Sequence, residues 1–131
     1  MSEFLNGVEL VEILTTNNAY STVTANWNAA AQTVFEIAED TEYKISGISV
    51  DLTGAEAGST WTFQLNRAFA AAGANYRTAG EAYTKVVGVG GVAVEISDFA
   101  HYGYMKLTAQ SDDAADDGKT LTITYMQKPL E

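Results

Sequence analysis

The stretch YKISGISVDLTGAEAGSTWTFQLN, residues 43–66, decides the fold class. In residues 60–66 the large apolar side chains Trp61, Phe63 and Leu65 fall on one face, and Thr60, Thr62, Gln64 and Asn66 on the other. A period of two is the mark of a half-buried strand. In residues 43–52 the apolar set is Tyr43 and Ile45, then Ile48, Val50 and Leu52, so the phase slips by one residue at Gly47. A glycine at such a slip tolerates a bulge or a close backbone approach, and a bulge bends a strand between two packed sheets. The segment therefore reads as two long strands joined by a polar turn bearing Gly54 and Gly58.

Working outward, the same period recurs. Residues 8–14 predict a first strand, with Val8 and Leu10 inward and Glu9 and Glu12 outward, and Asn17-Asn18 supplies a turn signal. Residues 20–27 alternate and end on the large anchor Trp27; residues 33–38 alternate Phe35 and Ile37 against Val34 and Glu36. Residues 67–80, rich in alanine and glycine, lack helical apolar spacing and read as a long loop. Strands follow over 81–87, 92–96 and 104–109, with Gly88-Val89-Gly90-Gly91 as a hinge, a turn over 112–118, and a closing strand over 120–127 with Leu121, Ile123 and Tyr125 inward. The sole proline, Pro129, falls just past it. The expectation is an all-β antiparallel β-sandwich, jelly-roll-like, of eight or nine strands. It comprises one domain over residues 8–128 behind an N-terminal arm, residues 1–7.

Composition narrows the function. With 131 residues the chain can bury roughly two-thirds of its unfolded surface in a single core. No cysteine is present, which removes disulfides, thiolate metal sites and cysteine nucleophiles. Seven basic against seventeen acidic residues, net charge −10, repel phosphate and anionic lipid, so neither nucleic acid nor membrane is an expected partner. The first fifteen residues carry Glu3, Glu9 and Glu12 and no basic residue, unlike a secretory signal, and cytoplasmic synthesis is expected.

The candidate chemistry is sparse. Asp112, Asp113, Asp116 and Asp117 cluster on one loop, and grouped carboxylates are what calcium requires. Their spacing is not that of an EF-hand, and a solvated hairpin turn with positive φ at Asp117-Gly118 accounts for them better. His101 is the only histidine and has no nucleophile motif beside it. Glu36, Asp51 and Glu95 could serve as paired carboxylates for glycoside hydrolysis, but outward solubilising charges explain them more simply. Gly88-Val89-Gly90-Gly91 lacks the lysine and hydroxyl residue of a phosphate-binding loop. Tyr20, Trp27, Trp61, Tyr76, Tyr83, Tyr102 and Tyr104 could stack on sugars if exposed together, although Trp61 shares its face with Phe63 and Leu65 and so reads as core. No enzymatic activity, cofactor or metal is expected.

The order YKISGISVDLT (43–53), WTFQL (61–65), NYR (75–77) and YMKLTAQS (104–111) resembles the small β-sandwich virion proteins of tailed bacteriophages, the head-decoration and fibre-like proteins. The resemblance covers roughly residues 43–127. Where such proteins often have a short glycine-bearing turn before the Asn-Tyr-Arg, this chain carries the longer RAFAAAGA, residues 67–74. The resemblance implies a non-enzymatic viral structural protein that is assembled in the host cytoplasm, self-associates, and binds capsid or other virion subunits. Phe4 and Leu5, an apolar pair ahead of the first strand, are the candidate interaction residues. The alternative is a carbohydrate-binding module with a calcium-stabilised aspartate loop.

Overall fold

The computed structural model describes residues 17–37, 43–69, 75–88, 93–97 and 103–129. The expected arm with Phe4 and Leu5, the strand over 8–14 and His101 lie outside the described residues. Within them, nine strands form two antiparallel sheets. β1 (Asn17–Thr24), β9 (Thr120–Pro129), β3 (Tyr43–Asp51) and β7 (Ala93–Ile96) make one, in that order. The other runs β2 (Gln32–Ile37), β8 (Tyr104–Ser111), β4 (Thr60–Ala68), with β5 (Arg77–Thr78) and β6 (Tyr83–Val86) both on the far side of β4. The chain changes sheet at every step except β4 to β5 to β6. This is the double Greek key of a jelly roll, with β5 and β6 sharing the place of one strand. The helical element among the described residues is a single 3-10 turn, Ala114–Asp116, and none of their helices is long and apolar enough to cross a membrane.

The alternation read from the sequence builds the core. Trp61 and Phe63 are fully buried from β4; Ile48 and Val50 come from β3, Met105 and Leu107 from β8, and Leu121 and Ile123 from β9. The phase slip in β3 is a bulge: Ile45 faces Gln127 while Gly47 faces Met126, leaving Ser46 as the extra residue. That one insertion lets Ile45, Ile48 and Val50 all point inward.

Elsewhere the structure departs from the pattern. Residues 43–66 are two strands in different sheets, so the turn bearing Gly54 and Gly58 is an inter-sheet crossover. Asn17-Asn18 is not a turn; both residues pair with β9, opposite Gln127 and Met126. Trp27 lies beyond the end of β1, in the following turn, and is still fully buried. In β2 a register shift between Thr33 and Phe35 turns both Val34 and Phe35 inward. β4 continues to Ala68, and Arg77–Thr78 returns to pair with it, so residues 67–80 are not all loop. Pro129 belongs to β9, at a position beyond the last β1 pair, where its missing N–H breaks no ladder on that side. Gly103 has φ +70°, and a Cβ there would stand 2.7 Å from the Ala68 carbonyl oxygen, so only glycine lets the start of β8 close against the end of β4.

Candidate functional site

Three inter-sheet connections meet at one end of the sandwich: residues 25–31, 52–59 and 112–119. The aspartates of the third hold the other two. Asp112 Oδ1 accepts from the Thr60 N–H at 2.8 Å, and Asp117 Oδ1 from the Asn28 N–H at 2.7 Å. Asp113 caps the 3-10 turn by accepting from the Ala115 N–H at 2.9 Å. Asp116 is fully buried; its Oδ1 accepts from the Glu56 N–H at 2.8 Å and its Oδ2 from the Ser111 hydroxyl at 2.5 Å. Lys119 Nζ lies 3.7 Å from Asp116 Oδ1 and donates to the Gly54 carbonyl at 2.6 Å. Burial pushes the Asp116 carboxyl up, but the hydrogen bonds from Ser111 and the Glu56 N–H, with Ser59 and the charge of Lys119, outweigh it and hold the group below the usual carboxylate range.

The loop is therefore not the solvated hairpin turn expected of it. It joins strands of opposite sheets, Asp116 is inside, and positive φ occurs at Gly118 while Asp117 has φ −62°. Each of the four aspartates caps a different backbone N–H, so their oxygens diverge. No group of three or more histidine, cysteine or acidic side chains that could hold a metal occurs among the described residues. Millimolar calcium added to chelator-treated protein is accordingly expected to leave the melting temperature unchanged. A bound site with Kd a hundredfold below the calcium concentration would instead add about 2.7 kcal/mol, a shift that calorimetry would register and Asp112→Ala/Asp116→Ala would abolish.

The partners of Asp116 could not be named from sequence, although one signal was present. Ser111 stands in phase with the inward Met105, Leu107 and Ala109, and a serine at an inward position needs a buried partner.

The other candidates are spread over the two outer faces. Asp51 and Glu95 lie diagonally on β3 and β7, since Asp51 faces Ala93 and Ser49 faces Glu95. Asp51 is held by the Thr53 hydroxyl at 2.6 Å and N–H at 2.8 Å, which lower its pKa, the opposite of what a general acid needs. Glu95 instead lines a cleft of about 270 Å³ on the outer face of the four-stranded sheet, with Gly47 and Ser49 on β3, Ser97, and Thr124 and Met126 on β9. Glu36 is on the opposite sheet and accepts from the Tyr76 hydroxyl at 3.0 Å. Burial, then the Glu36 hydrogen bond and charge, push Tyr76 up to about 12. Lys106 Nζ stands 4.6 Å from the Tyr76 ring centroid, covering a face that a sugar would use. Trp27 and Trp61 have no exposed surface at all; they pack against each other with centroids 5.5 Å apart.

Compared with known protein families and with curated proteins, the chain matches none.

Proposed function

We propose that the protein is a non-enzymatic structural component of a virus particle, decorating a capsid or joining neighbouring virion subunits. The observation that carries this reading is the jelly-roll strand order, an architecture that viral capsid domains use, and the inference is one of fold-level analogy. The aspartate loop agrees with it, because its carboxylates are spent on tying connections together, as a scaffold requires. An acidic, cysteine-free surface keeps such a protein soluble until it meets its lattice. The carbohydrate-binding alternative draws less support, since both tryptophans are interior and Tyr76 is capped by Lys106.

The test is localisation. An antibody raised against the purified protein should label nuclease-resistant particles recovered from cultures of the source organism, at regular positions on their surface. Label confined to free protein, together with selective binding on a glycan array in calcium, would overturn the reading in favour of the alternative.

A further inference from the structure

A sandwich has four sheet edges, and three of them here carry the devices that prevent strands from adding to them. β7 is four residues long and bears the exposed Glu95; β5 has two residues, and β6 has four with Lys85. β2 has a register shift after Thr33 and the exposed Glu36. β1 differs in every respect. It makes eight consecutive pairs with β9 without a register shift, and its sequence NNAYSTVT has no charge, no proline and no glycine. Among the described residues no strand lies along its other side.

The surface behind this edge is neutral as well. Residues 120–127 of β9 carry no charge, and the exposed Thr22 and Thr24 lie opposite Thr122 and Thr120. In a chain of net charge −10 such a strip selects its occupant. A basic partner would be drawn to the carboxylates elsewhere. A second copy, just as acidic, meets the least repulsion here. In an antiparallel ladder alternate residues of β1 turn their N–H and C=O away from β9, where they can bond to an extended strand, and a strand pairing antiparallel with its own copy is self-complementary about a two-fold axis.

We propose that the edge of β1 away from β9 docks a second copy of the chain, with the two β1 strands antiparallel about a two-fold axis, so that the four-stranded sheet continues across the interface as eight strands. The inference goes beyond the function proposed above by giving a surface to the self-association that the sequence resemblance implies.

Sedimentation velocity on the full chain over a concentration series is expected to show a monomer–dimer equilibrium that strengthens with added salt, as screening weakens the repulsion between acidic copies. Thr22→Glu/Thr24→Glu should shift it to monomer, whereas Ala93→Glu, an exposed position on the opposite edge of the same sheet, should leave the dimer intact. Hydrogen exchange gives a second readout that needs no variant: amides of β1 should gain protection as concentration rises, and those of β7 should not. A monomer at every concentration overturns the proposal, as does a dimer indifferent to the Thr22/Thr24 pair with β1 unprotected. A monomer that dimerises only when residues 1–16 are removed also overturns it, by showing that the chain covers its own edge. None of these outcomes bears on whether the protein is found in particles, so the two readings fail separately.

Discussion

Trp61→Ala is expected to cost about 3–5 kcal/mol of stability, the usual loss on truncating a buried aromatic, and to lower the melting temperature by roughly 10–20 °C for a domain of this size. The indole is fully buried between Trp27, at 5.5 Å, and Phe63, at 6.3 Å between centroids, and its N–H donates to the Ser59 hydroxyl at 3.1 Å. Alanine leaves a cavity where two sheets and a crossover meet, and the second tryptophan cannot fill it because its own N–H is fixed to the Lys119 carbonyl at 2.7 Å. Trp61→Phe, which keeps a ring and loses the hydrogen bond, should cost less, on the order of 1 kcal/mol beyond the lost area. Urea denaturation checks both. An unchanged midpoint in the alanine variant would mean that the indole is exposed, which would restore it as a sugar-stacking residue.

Asp116→Ala has the second largest expected effect, about 3 kcal/mol, because it strands the Glu56 N–H and the Ser111 hydroxyl in a buried setting. Asp116→Asn preserves shape but must turn an NH2 group toward one of those donors, so it should rescue only part of the loss. Acid distinguishes charge from packing. The folded carboxyl titrates below its unfolded value of about 3.9, so the unfolded chain takes up the proton first. The contribution of the ionised group is full at neutral pH and fades as pH falls below about 4 toward the folded value. The gap between wild type and Asp116→Asn in urea midpoint should therefore be wide at pH 7 and narrow at pH 3. A gap independent of pH would show that the charge of Asp116 contributes nothing.

The longer strands were legible in the sequence because a sandwich imposes one local rule, alternation, on them, whereas Arg77–Thr78 fell inside residues that read as loop. Trp61-Phe63-Leu65, Met105-Leu107 and Leu121-Ile123 declared their inward phase unaided, and even the bulge in β3 appeared as a broken alternation at Gly47. The sandwich class followed from the number and spacing of strands, but the strand order did not, since pairing such as β1 with β9 joins residues at opposite ends of the sandwich sequence. For the same reason Asn17-Asn18 read as a turn, until a ladder to Gln127 and Met126 overrode their local preference. The site was least legible. Four aspartates in six residues look solvated, and what puts Asp116 inside is the N–H of Glu56, sixty positions away. A crossover that borrows its partners from another crossover leaves little local trace, here the inward phase of Ser111.

The place of β9 has a consequence for synthesis. It is an interior strand, bonded to β1 on one side and β3 on the other, yet it is the last of the nine to be made. Until residues 120–129 exist, β1 and β3 have no neighbour between them. Before that point β3 can pair only with β7 among the described strands, and β1 has none of them to pair with. Closing this sheet depends on long-range pairing, which makes it slow to form and exposes bare strand edges to sticking before it does.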